Sequence, residues 1–156
     1  MVISRSGWER LVELWDISEV ASTISKTLIS LYMIKAGLQE PEINVEVLIR
    51  SIEKCRNILK KLLADLELYM NNEAPETELV TLLIDAYGDV NVEKIRDHLS
   101  RAIQGLEKLI KAFSCKPLDM GILKDRDVIE LENTLRRISN TLSRKVERMA
   151  SEIYAF

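Results

Sequence analysis

Between Val45 and Tyr69 the apolar residues fall at Val45, Leu48, Ile52, Cys55, Leu59, Leu62, Leu66 and Tyr69, in unbroken alternating steps of three and four. A mean period of about 3.5 stays close to the helical 3.6, so these residues share one stripe of a helix. Arg50, Glu53, Lys54, Arg56, Asn57, Lys60, Lys61 and Asp65 occupy the remaining faces and would be solvated. Such a helix is not stable alone, because most helical stability comes from packing the apolar face. The rest of the chain must supply the opposite wall.

Three further segments have the same character. The first opens on a capping box, Ser6-Gly7-Trp8-Glu9, and is predicted to run to Ala36, where Gly37 closes it. Its seam is Leu14, Ile17, Ala21, Ile24, Leu28 and Leu31. A later segment, capped by Asn91, carries Val92, Ile95, Leu99, Ala102, Leu106, Leu109 and Phe113, widened by Ile103 and Ile110. The last starts at Asp125 or Asp127 and presents Val128, Leu131, Leu135, Ile138 and Leu142. Its seam then shifts by one residue to Val146, Met149 and Ile153, a stutter that locally relaxes supercoiling. Asn44 is the predicted cap of the Val45 helix, with Pro41 just before it and Glu42 and Glu46 suited to the positive end of the dipole. A short helix is predicted from Pro75 to Tyr87, closed by Gly88, with Leu79, Val80, Leu82, Leu83, Ile84 and Ala86 dense enough to need burial on more than one side.

These segments predict an all-α fold: an antiparallel four-helix bundle with one additional short helix in the central connection. The whole chain, residues 1–156, is expected to form a single domain. Apolar residues at 47%, charged residues at 30%, five glycines and three prolines exclude a disordered chain and favour long helices with few turns. The sequence leaves open the direction of the third long helix. Ile43-Asn-Val-Glu and Val90-Asn-Val-Glu head two of the helices, an echo that either a duplicated helical hairpin or shared capping chemistry with two heptad patterns explains, the latter being the expectation.

Composition also narrows function. A formal net charge of −3 offers no electrostatic footprint for nucleic acid. Arg136, Arg137, Arg144, Lys145 and Arg148 make the last helix locally basic, but Glu130, Glu132, Glu147 and Glu152 are interleaved and no exposed aromatics accompany them. The apolar runs Leu31–Ile34 and Ile153–Phe156 fall far short of the ~20 residues that span a bilayer. Charge at Arg5, Glu9 and Arg10 without a following apolar core gives no signal peptide, so the expected location is cytoplasmic. Cys55 lies on the apolar seam as a small core residue. Cys115, beside Lys116-Pro117 at a helix end, is expected to be a partly exposed free thiol; a disulfide joining the two would be unusual in a reducing cytosol.

No catalytic or metal-binding constellation emerges. A di-metal carboxylate site in a bundle needs Glu-x-x-His pairs on two helices, whereas the single histidine, His98, has Ile95 three residues before it. Paired Glu-x-x-Glu and Glu-x-x-Asp, as in helical nucleotide pyrophosphohydrolases that hold magnesium, have imperfect counterparts here. Glu73-Ala-Pro-Glu76 falls in a loop, and in Glu13-Leu-Trp-Asp16 the Trp15 ring competes for the inward direction. No Gly-rich phosphate loop and no nucleophile with a histidine base are present. Ser143-Arg-Lys-Val-Glu-Arg148 is similar, over six residues, to an arginine-and-glutamate helix motif of ATP-dependent cobalamin adenosyltransferases, which are also helical bundles. The Gly-Asp-Gly-Gly nucleotide loop of that family is missing, so the resemblance assigns no site residue.

The remaining feature is a second stripe on the first helix: Trp8, Leu11, Trp15, Ser18, Ser22, Ser25, Ile29 and Tyr32, about 100° from the seam. Either the short helix around Leu82 and the wider core cover it, or it pairs with its own copy as a two-fold dimer. The expectation is a non-catalytic interaction protein that self-associates as a homodimer or docks another helical protein. It needs no cofactor and binds neither nucleic acid nor membrane. The alternative is a small-ligand binder or nucleotide-dependent enzyme of cobalamin-adenosyltransferase-like architecture. A pocket lined by convergent Arg and Glu would favour the alternative, and an exposed apolar face the interaction protein.

Overall fold

The computed structural model describes residues 5–37, 44–88, 91–115 and 119–154. Five α-helices pack against one another: α1 (Arg5–Lys35), α2 (Val45–Met70), α3 (Glu78–Tyr87), α4 (Val92–Phe113) and α5 (Arg126–Tyr154), with a short 3-10 turn at Met120–Lys124 before α5. Among the described residues there is no strand, and no helix is long and apolar enough to cross a membrane.

The caps follow local chemistry. Asn44 accepts the Val47 amide at 3.2 Å and Asn91 accepts the Glu93 amide at 2.9 Å, each satisfying a donor the helix leaves orphaned. The two asparagines thus reach different amides of the first turn, the third residue of α2 and the second of α4, although both are followed by Val-Glu. Asp125 is the cap of α5, accepting the Asp127 amide at 2.9 Å. Gly37 and Gly88 close α1 and α3 at φ +87° and +66°, the left-handed region open to glycine. Two expected starts move. α1 begins at Arg5, so Ser6 stands inside the helix. α3 begins at Glu78 with Thr77 as its cap, accepting the Val80 amide at 3.2 Å; Pro75 lies in the preceding loop. Pro41 and Glu42 lie outside the described residues.

The seams form one continuous core. Ile17, Ile24 and Leu31 of α1 meet Ile52, Leu59 and Leu66 of α2, Ile95, Leu99 and Leu106 of α4 and Leu131 and Leu135 of α5, all buried. Among the described seam residues, Leu14, Val45, Tyr69 and Val92 at seam ends are partly exposed, as are Ile110 and Val146. α1 packs mainly on α5 and also on α2, α2 on α4, and α4 on α5. Cross-helix pairs give direction. Arg10 meets Glu152 at 2.7 Å while Lys35, at the other end of α1, meets Glu132 at 2.6 Å, so α1 and α5 run oppositely. Arg101 meets Glu130 and Lys108 meets Asp127, so α4 and α5 do as well. α3 lies against α5, with lesser contact to α2 and α4. Lys145 holds its first turn through Glu78 at 3.1 Å.

α4 and α5 approach most closely at Gly105. A Cβ there would lie 2.9 Å from the Asp127 carbonyl oxygen and 3.3 Å from the Leu131 Cβ. On the flank of this approach Lys108 reaches Asp127 at 2.7 Å and Asp125 at 3.3 Å, and these hydrogen bonds hold its ammonium above the ordinary lysine range. Gly105→Ala therefore sets two effects against each other. Helix propensity favours alanine by about 1 kcal/mol. Overpacking against fixed backbone costs about 1–3 kcal/mol, and the carbonyl cannot swing aside as a side chain could. Net destabilisation in chemical denaturation is expected. Leu59→Ala should cost about 2–5 kcal/mol, since Leu59 is fully buried. Its neighbour Lys60 is exposed and pairs with Glu107 at 3.4 Å across solvent, so Lys60→Ala should cost less than about 1 kcal/mol in the same assay.

Candidate functional site

Two surfaces stand out, and they lie on different helices. The first is the outer face of α1. Trp8 and Trp15 are 59% and 73% exposed, Ile29 is 56% exposed, and Ser22 between them is exposed. Trp8, Trp15, Ser22 and Ile29 are not covered within the chain, so intrachain cover of the second stripe is partial. The stripe does not stay together, however. Leu11, Ser18 and Ser25 are half-buried, and the Ser25 hydroxyl lies 3.1 Å from the Ser139 hydroxyl of α5. The Tyr32 hydroxyl accepts a hydrogen bond from Arg136 Nε of α5 at 3.0 Å. Val12 and Met33 take their place, giving an exposed row of Trp8, Val12, Trp15, Ser22, Ile29 and Met33. Trp15, expected to compete for the inward direction, points to solvent, and Glu13 and Asp16 beside it are exposed too.

Charge is unevenly spread along α1. Glu9, Glu13, Asp16 and Glu19 lie in its N-terminal half, where Arg10 is turned to Glu152, and Lys26 lies in its C-terminal half, where Lys35 is turned to Glu132. At roughly 100° per residue, Glu19 and Lys26 flank Ser22 on the same side as the tryptophans.

The second surface is an open cleft of about 250 Å³ bounded by the end of α3, the first half of α4 and the middle of α5. Tyr87 is its floor. The Tyr87 ring centroid is 5.3 Å from that of His98, and the Arg137 guanidinium carbon sits 4.8 Å from the Tyr87 ring. Arg101 and Glu130, 3.6 Å apart, form a further wall with Asn133 and Thr134. An adjoining space of about 360 Å³ extends the cleft past Lys94 and Asp97. The Tyr87 hydroxyl is buried without a hydrogen bond of full geometry. Burial pushes its pKa up, with Thr134 and Arg137 pulling the other way. His98, placed by its spacing at the edge of the seam, is half-buried there. Arg137 and Tyr87 were not legible as its companions, because they come from other helices, whereas Arg101 stands three residues on in α4.

The other candidates disperse. Glu73 and Glu76 are exposed in the loop before α3. In Ser143–Arg148, Ser143, Arg144, Glu147 and Arg148 are exposed and Lys145 is taken by Glu78, so the segment lines neither surface. Arg136 faces Tyr32 of α1 while Arg137 faces Tyr87 of α3, which spreads the basic residues of α5 over both flanks. Among the described residues no group of three or more His, Cys, Asp or Glu is placed to hold a metal ion. No protein-family model, curated protein or solved structure matches the chain.

Both cysteines are free: Cys55 is buried in the core and Cys115 exposed beyond α4. Burial raises the Cys55 thiol from 9.0 to about 12, against a hydrogen bond with Thr27. The folded chain therefore holds a proton that the unfolded chain loses above about pH 9, and stability falls as pH rises through that window. A thiol reagent should label Cys115 in the native protein and reach Cys55 only on unfolding. The denaturation midpoint should drop between about pH 8 and about pH 10, and drop less in Cys55→Val. Equal native labelling of the two thiols would contradict this burial.

Proposed function

We propose that this chain is an antiparallel four-helix bundle, with α3 as the extra short helix of its central connection, that works as a non-catalytic interaction module by pairing α1 of two copies. The observation that carries the reading is the exposure of Trp8 and Trp15, 59% and 73%, one heptad apart on the face turned away from the core. Large aromatics cost free energy in water, and tryptophan is enriched at interface hot spots. A helix of 31 residues is about 46 Å long at 1.5 Å per residue, so the face offers an extended line of contact.

Charge selects a second copy as the occupant. A two-fold pairing of identical helices is isologous, and an antiparallel one brings residue i opposite residue j with a constant sum. Centred beside Ser22, it sets Glu19 against Lys26, Val12 against Met33, and Trp15 against Ile29 and Ser30 of the other copy. Glu19 of each copy then meets Lys26 of the other, once on each side of the axis. The small Ser22 side chain lets the backbones come close at the crossing.

Light scattering after size exclusion tests this. The parent should run as a dimer at high micromolar concentration, and Trp8→Ala with Trp15→Ala should give a folded monomer, because each hot-spot truncation costs about 2 kcal/mol or more. Glu19→Lys alone and Lys26→Glu alone should each weaken the dimer, and the two together in one chain should restore it. A monomeric parent, or a double charge swap no better than either single change, would overturn the pairing.

A further inference from the structure

We propose that the cleft between α3, α4 and α5 binds a small phosphate-bearing anion, gripped by Arg137 and Arg101 with His98 on the adjoining wall. The first ground is charge left unspent. Among the described residues no carboxylate pairs with Arg137 or with Lys94, although both border the cleft. Of the two carboxylates that border it, Asp97 lies 3.8 Å from Arg96, and Glu130 lies 3.1 Å from Arg126 and 3.6 Å from Arg101. Arg101 is thus shared with Glu130 inside the cleft, that carboxylate being balanced by two arginines, while Arg137 and Lys94 carry the uncompensated positive charge.

The second ground is order. A solvated arginine on an isolated helix samples many rotamers, whereas Arg137 is held 4.8 Å from the Tyr87 ring in a cation–π contact. His98 packs on the same ring at 5.3 Å between centroids. Tyr87, 5% exposed, thus positions one side chain on α5 and another on α4. The site is paid for before the ligand arrives.

The third ground is shape. The cationic and polar groups come from two helices that face each other across the cleft, His98 and Arg101 from α4 and Arg137 from α5, with Lys94 of α4 beside the adjoining space. Donors from more than one side suit a tetrahedral oxyanion, whose oxygens accept from several directions, better than a planar carboxylate. Arginine's fork matches phosphate with two parallel hydrogen bonds. The binding site shares no residue with the outer face of α1, so it stands or falls apart from the dimer.

His98 is the single histidine of the chain, so its ring resonances report on the cleft without assignment. The full-length wild-type protein, at constant pH and ionic strength, is titrated with inorganic phosphate, with glycerol phosphate and with acetate while the His98 ring is followed by NMR. A saturable shift with a phosphate probe, absent with acetate and chloride, is the expected result. Arg137→Gln should weaken that binding at least about tenfold, the loss of one charge-assisted contact, with an unchanged helical circular dichroism spectrum. Arg136→Gln, whose side chain faces α1, should bind as the parent does. Tighter binding of glycerol phosphate identifies a phosphate ester, and equal binding identifies free phosphate; either sustains the proposal. No saturable shift in the wild-type chain, a shift matched by acetate, or equal binding by folded Arg137→Gln overturns it. Should Arg137→Gln fail to fold, the wild-type titration alone decides.

Discussion

Burial of one leucine-rich seam against another is the interaction on which every other feature of this molecule depends. No single helix here can persist without it, and each long helix has one such seam. α5 is the element the others share: it meets α1 along one flank, α4 along another and α3 near its C-terminal half. Its polar residues are therefore divided among neighbours. Glu132 goes to Lys35, Ser139 to Ser25 and Lys145 to Glu78, each tying a different helix or turn to the same central rod. Sequence changes on α5 consequently act on several packing surfaces at once, whereas changes on the outer face of α1 act on none within the chain.

Much of this was legible in the residues because helical periodicity is a local property. The seams, Asn44 and Asn91 as caps, and Gly37 and Gly88 as stops follow from chemistry within one or two turns. What periodicity cannot supply is the identity of the neighbour. Gly105 reads as a weak point in a helix until the Asp127 carbonyl is seen 2.9 Å from where its Cβ would be. The cleft was invisible for the same reason, since Tyr87, His98 and Arg137 are brought together only by tertiary packing. Thr77 was missed differently. Pro75 suits a first turn, and its claim hid a hydroxyl two residues later that caps the helix better.

The second stripe on α1 splits because it is two rows of the helix rather than one. Trp8, Trp15, Ser22 and Ile29 recur every seven residues and stay outward along the whole helix. Leu11, Ser18 and Ser25 stand three residues further on, which at 100° per residue sets them about 60° round the axis, and there they are half-buried. Val12 and Met33 complete the row that remains outward. Ser22 stays open, while Ser25 is committed to Ser139. The proposed pairing therefore centres on Ser22, between Glu19 and Lys26.

Arg136 and Arg137 show how neighbouring residues of one kind can have opposite fates. Consecutive positions project about 100° apart, so one arginine leans toward α1 and the other toward α3. Each finds a tyrosine. Arg136 lies 5.7 Å from the Tyr32 ring centroid and also donates to the Tyr32 hydroxyl, with Glu132 contributing to holding its charge. Arg137 lies 4.8 Å from the Tyr87 ring centroid, which steadies the guanidinium but offers its N–H groups no acceptor. A ring face satisfies charge without satisfying hydrogen bonds. The cleft thus lies where the arginine has the ring without the hydroxyl, leaving its donors in place.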